Sequence, residues 1–133
     1  MKIVLDTNCL LVIIPKLSIY RKVYDLIREG KITLAVTTEI LAEYEEQLSN
    51  FYSETVAQNV IRQIIELQST ELKTVFYTWN LITKDPDDNK FVDCAIVASA
   101  ELIVTNDKHF KVLDKISFPN VKHLKLEKFC KLF

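Results

Sequence analysis

Apolar residues along this chain fall alternately into short unbroken runs and helical stripes. Ile3-Val4-Leu5 is a short, β-branched run closed by Asp6, as expected of a buried strand. A helical stretch opening at Asp6 or Asn8 continues through Leu10 to Ile14 and stops before Pro15. Ser18 is placed to cap a helix over 19–29, with Ile19, Val23, Leu26 and Ile27 on one face and Gly30 as its stop. Residues 32–36 read as a second strand, after which Thr37 or Thr38 caps a helix carrying Ile40, Leu41, Tyr44 and Leu48. Ser53 caps a further helix over 53–69, with Val56, Val60, Ile64 and Leu67 on its apolar side. Residues 75–79 fit either a strand or an extended connector, and Lys84-Asp85-Pro86-Asp87-Asp88-Asn89 is a strong loop signal. A largely apolar helix over 89–100 leads into a third strand, Leu102-Ile103-Val104, which ends in Thr105-Asn106-Asp107. A short helix at 110–113, a strand at 121–126 and a final helix at 126–132 complete the pattern.

Strands alternating with helices predict an α/β fold, a three-layer α/β/α sandwich with a mainly parallel central sheet. With 133 residues, no internal repeat and no polar linker, a single domain over 1–133 is expected. A hydrophobic fraction of 49% supplies one core and excludes a disordered chain. One glycine leaves no room for a glycine-built phosphate loop. The net charge of −1 excludes a globally basic nucleic-acid binder but hides a pattern: residues 37–88 carry −7, flanked by segments of +3 each. Cys9, Cys94 and Cys130 form neither a CxxC pair nor an even framework, so a reducing cytoplasm is the expected compartment. Asp6 and Asn8 break any signal-peptide pattern, and no stretch approaches the roughly 20 apolar residues of a membrane span.

Candidate chemistry lies where the strands end. Asp6 closes the first strand and Asp107 follows the third, and ligands of open parallel sheets bind outside the carboxyl ends of the strands. Each acid alone is an ordinary cap or turn residue. Two at matched strand ends repel unless a proton or cation lies between them, and a hard divalent ion takes such oxygen ligands. Asp93 interrupts the apolar stretch Phe91-Val92 and Cys94-Ala95, and Glu43 falls at the edge of the stripe set by Ile40. Asp87 and Asp88 are weaker candidates, because a Pro-Asp-Asp-Asn loop is common turn chemistry.

These pieces, in this order, resemble the PIN-domain ribonucleases: Ile3-Val4-Leu5-Asp6-Thr7-Asn8, Glu43, Asp93-Cys94-Ala95 and Val104-Thr105-Asn106-Asp107-Lys108-His109-Phe110. The stretch Asp85-Pro86-Asp87-Asp88-Asn89-Lys90-Phe91 is similar to the branch labelled as toxins of toxin–antitoxin pairs. The resemblance implies a metal-dependent endoribonuclease with Mg²⁺ or Mn²⁺ as cofactor, RNA as substrate, 5′-phosphate and 3′-hydroxyl products, an antitoxin protein as partner and a homodimer. It implies Asp6, Glu43, Asp93 and Asp107 as catalytic residues converging in one pocket. Asp6, Asp93 and Asp107 would be metal ligands, and Glu43 would complete the site or position water. Asn8, Thr105 and Asn106 would hydrogen-bond the phosphate of the substrate or orient the acids, and Lys90, Lys108 and Lys111, which flank the acids, are the expected phosphate contacts.

Other conspicuous residues read more plainly. His109 and His123 have no nucleophile motif around them. Phe76, Tyr77 and Trp79 fit core or dimer contact better than base stacking. Lys115, Lys122, Lys125, Lys128 and Lys131 read as solvated surface. Two other enzyme or signalling classes fit the size but not the residues. A receiver-like domain with a Mg²⁺ pocket, the main alternative, needs paired acids after the first strand and an Asp ending a middle one, where Thr37 stands. A haloacid dehalogenase-type phosphatase needs Asp-x-Asp, and Asn8 occupies the second position. A non-catalytic module of the same fold would lack the acids that this chain keeps.

Overall fold

The computed structural model describes residues 1–133. Its elements are β1 (Lys2–Leu5), α1 (Thr7–Ile13), α2 (Arg21–Arg28), β2 (Thr33–Val36), α3 (Thr38–Phe51), α4 (Glu54–Glu66), β3 (Glu71–Leu72), α5 (Asn89–Ala98), β4 (Leu102–Val104), β5 (His123–Leu124) and α6 (Leu126–Cys130). Two 3₁₀ segments, Pro86–Asp88 and Lys108–Lys115, precede α5 and follow β4. The five strands form one parallel sheet in the order β3-β2-β1-β4-β5. Successive strand side chains point to opposite faces, yet Ile3, Val4 and Leu5 are all fully buried. Both faces of β1 are therefore covered by helices, as the α/β/α expectation requires. A core of 35 buried apolar residues surrounds it, with Tyr44, Phe91, Phe110 and Phe129 its largest fully buried side chains.

The strand order excludes the receiver alternative on topology. Receiver-type sheets run 2-1-3-4-5, whereas here β1 lies between β2 and β4. Chain direction across the sheet reverses between β1 and β4, so the crevice beyond their carboxyl ends is the switch point where such folds bind ligands.

Local chemistry explains most boundaries. Thr37 accepts the Ile40 N–H at 3.1 Å and Ser53 the Val56 N–H at 3.1 Å, so both caps form as expected. Gly30, at φ +75°, takes the left-handed turn after α2. Ser99 does the same at φ 53° and ends α5 short of residue 100. One expectation fails. Ser18 does not cap α2: its hydroxyl accepts from Tyr20 N in a turn, the helix starts at Arg21, and Ile19 is 81% exposed. Tyr24 joins Val23 and Ile27 on the buried side of α2. Of the two readings of residues 75–79 the extended connector is the one found, because pairing to β2 goes to Glu71–Leu72.

Candidate active site

The site begins with a backbone contact. The Asp6 N–H donates to Val104 C=O at 3.0 Å, carrying the β1–β4 pairing one residue past the strand end. Asp6 thereby lies beside Thr105, whose hydroxyl donates to Asp6 Oδ2 at 2.7 Å. Asp6 occupies the residue before α1, yet its carboxylate caps no helix N–H and is free to face the crevice. The side chain is held rather than solvated, since Asp6 is 6% exposed. Burial raises its pKa; the Thr105 hydrogen bond opposes that, and the charges of Asp107 and Glu43 add to the rise.

Asp107 is positioned by the turn that leaves β4. Its N–H donates to Thr105 Oγ1 at 3.0 Å, and its own Oδ1 accepts the His109 N–H at 2.8 Å, capping Lys108–Lys115. That cap brings the His109 ring back over the acids, with Nδ1 3.3 Å from Asp107 Oδ1 and 3.8 Å from Asp88 Oδ2. Donor atoms of Asp85, Asp88, Asp107 and His109 all lie within 4.8 Å of one another. The Asp88 side chain is 13% exposed. Its pKa is pushed up to about 7, first by burial and then by the charges of Asp107, Asp85 and Asp6. Asp88 Oδ2 and His109 Nδ1 are buried atoms without a hydrogen-bond partner. An oxygen-rich donor set with two unsatisfied buried atoms and self-repelling charge fits a hard divalent cation.

Asp93 does not join this group, contrary to the expectation that it is the third acid. Its Oδ1 accepts the Trp79 N–H at 3.1 Å, and the charge acting on it is that of Glu39. The reason is helical geometry: five residues on from Asp88, Asp93 is turned well away from the face that Asp88 presents. It lines a different depression, with Thr37, Thr74, Thr78 and Lys73. Asp88, the residue before α5, is the acid of this stretch that stands with Asp107.

Glu43 is adjacent but already engaged. Thr7 Oγ1 donates to its Oε2, and Lys90 Nζ lies 2.6 Å from its Oε1. Lys90 also lies 2.9 Å from Asp87 Oδ1, and its side chain is only 6% exposed. Burial works against the Lys90 charge, but hydrogen bonds to Glu43 and Asp87 outweigh it and raise its pKa. Lys90 is thus an internal counter-ion, not the open phosphate contact expected of it. Among the other expected contacts, Asn8 is exposed, Thr105 orients Asp6, and Asn106 Oδ1 accepts the Leu126 N–H at 3.1 Å. Lys108 is exposed beside Asp107. Asp88, ranked in the sequence as a weaker candidate than Asp93, belongs to the cluster; the residues missed are Asp85 and His109. The only trace of His109 in the sequence was its position two residues after Asp107, the spacing of a side-chain-capped turn.

Carboxylates gathered at the switch point of a parallel sheet define a class, an α/β protein with an acidic pocket suited to a divalent cation. The chain belongs to the PIN domain family, whose model matches residues 2–109. Among solved structures it is similar to VapBC2 from Rickettsia felis bound to a DNA fragment from their promoter. That match has a TM-score of 0.62 at 22% identity, covering 94% of this chain and 98% of the other. No curated protein matches the sequence.

Proposed function

We propose that the protein is a Mg²⁺- or Mn²⁺-dependent endoribonuclease and the toxin of a toxin–antitoxin pair. The observation that carries this is the gathering of Asp6, Asp88 and Asp107 at the β1/β4 crevice without a neutralising lysine or arginine. Burial, and then the charges of Asp107, Asp85 and Asp6, push the Asp88 pKa up to about 7. A bound divalent cation would supply acidified water and charge neutralisation at a phosphodiester. Asp88 and Asp107, with Asp6 just past β1, would hold it, and Asp85 and His109 Nδ1 are further donors. Thr105 fixes both strand-end acids, donating to Asp6 and accepting from the Asp107 backbone. Glu43 sets the local field while Lys90 limits it. The acids repel phosphate on their own, so substrate binding at this point depends on charge compensation.

The toxin reading rests on the Asp85–Phe91 motif and is supported by the likeness to VapBC2. It implies an antitoxin protein as partner and a cytoplasmic setting, with Cys9, Cys94 and Cys130 remaining the free thiols they are here. For the expected homodimer, the exposed aromatics Phe76, Tyr77 and Phe118 are the candidate contact, tested by light scattering of their Ser variants.

The deciding experiment incubates purified protein with an RNA pool and Mn²⁺, with and without chelator, beside Asp107→Asn. Asn keeps the cap to His109 but removes the charge. Cleavage by the wild type should vanish with chelator and fall by about two orders of magnitude or more in the variant. Expression of the wild type should slow growth, and the variant should not. A folded Asp107→Asn protein cutting at the wild-type rate would refute the assignment.

A further inference from the structure

A groove of about 610 Å³ adjoins the acidic cluster and is lined by Lys84, Lys108, Lys111, Lys115 and His109. His109 belongs to both, so the groove lies against the cluster that holds Asp88 and Asp107. None of the four lysines lies within 4.0 Å of a carboxylate, whereas Lys90, close by in the chain, is fully paired. Their placement is built rather than incidental. Lys108, Lys111 and Lys115 project from the 3₁₀ segment whose other side is pinned by Phe110 and Leu113, 0% and 2% exposed. The facing wall, residues 82–84, is clamped by Asn89. Its amide accepts from Ile82 N and donates to Ile82 O, both at 2.8 Å. Two fixed walls carrying unpaired ammonium groups thus meet an unpaired carboxylate cluster.

We propose that this groove carries the sugar-phosphate backbone of a single-stranded RNA into the site, a proposal resting on the nuclease reading. Lysine ammonium groups neutralise successive phosphates and release counterions, so they attract the strand without reading its sequence. They also supply the charge compensation that the acidic pocket lacks. A groove of about 610 Å³ between one 3₁₀ segment and one loop is small for a duplex and suits a single strand. Lys115, expected to be mere solvated surface, belongs to the groove.

The test is fluorescence anisotropy of a short labelled single-stranded oligoribonucleotide in chelator, where cleavage cannot intervene, across a salt series. The combined variant Lys84→Ala/Lys111→Ala/Lys115→Ala should bind about tenfold or more weakly. Its slope of log affinity against log salt should be smaller by about 2, from roughly 0.7 per single-strand phosphate contact. The Arg versions of the three should bind as the wild type does. The Ala variant's melting temperature should still rise with Mn²⁺ as the wild type's does. Lys122→Ala/Lys125→Ala/Lys128→Ala, outside the groove, should keep the wild-type slope. An equal loss from that control, tighter binding of duplex than single strand, or no binding by the wild type would overturn the groove. A wild type that binds through the groove but cuts no RNA with Mn²⁺ supports the groove and sinks the nuclease reading. A wild type that cuts while the groove variant keeps its slope does the reverse.

Discussion

Asp88→Asn puts the electrostatic account of the site at risk in a single residue. Asp88 caps no helix through its side chain, so the substitution removes charge without removing a cap. Its pKa rises from the ordinary 3.8 to about 7 on folding, through burial and through the charges of Asp107, Asp85 and Asp6. Three units at 1.36 kcal/mol each make this carboxylate a cost to the metal-free fold of about 4 kcal/mol, as an upper figure, once it is ionised. The sign follows from linkage. Between pH 4 and 7 the folded protein holds a proton that the unfolded chain has released, so stability falls as pH rises through that window. Asn resembles the protonated acid at every pH. In chelator, Asp88→Asn should therefore match the wild type near pH 4 and exceed it by up to about 4 kcal/mol at pH 8. In a chain of this length that is on the order of 10 °C in Tm. Urea titrations at the two pH values read the difference directly. With Mn²⁺ at a hundred times its Kd, the wild type should gain about 2.7 kcal/mol, and the variant much less. A variant less stable than the wild type at pH 8, a gain independent of pH, or an undiminished Mn²⁺ effect would each refute the reasoning.

The other predictions concern neighbours of the cluster. Mn²⁺ affinity, measured by calorimetry, should rise from pH 5 to pH 8, because protons compete for Asp6 and Asp88, whose pKa values are both raised. A flat profile would place the ion elsewhere. Asp93→Ala should lower Tm by leaving the Trp79 N–H unpaired, at about 1–2 kcal/mol, yet keep the full Mn²⁺-induced rise in melting temperature. Loss of that rise would return Asp93 to the metal site. Lys90→Met should cost about 1–3 kcal/mol in chelator, since it strips the counter-ion from Glu43 beside Asp6. The same change should tighten Mn²⁺ binding, and weaker binding would contradict the role of Lys90 as a limit on the site's field.

Much of the fold was legible in the chain because it depends on local pattern. Ile3-Val4-Leu5 and Leu102-Ile103-Val104 are too short and too uniformly apolar to be anything but strands buried on both faces, and they are. Thr37 and Ser53 cap their helices because an N-cap needs only a hydroxyl within three residues of a free N–H. Asp6 and Asp107 could be paired from sequence because each lies within three residues of a strand's end, and the carboxyl edge of a parallel sheet is one place. What escaped depends on contacts between elements. Asp88 and Asp93 are both acids near the start of α5. Only the docking of that helix on β1, β2 and β4 decides which one turns toward Asp107 and which toward Trp79. Lys90 looks like an open cation until α3 brings Glu43 to it. The groove lysines come from two segments more than 20 residues apart and become one surface only when Asn89 ties residue 82 in place. Periodicity along a chain says which way a side chain points from its own element. Which charge it then meets is set by the partner element, and that is a property of the packed sheet and helices alone.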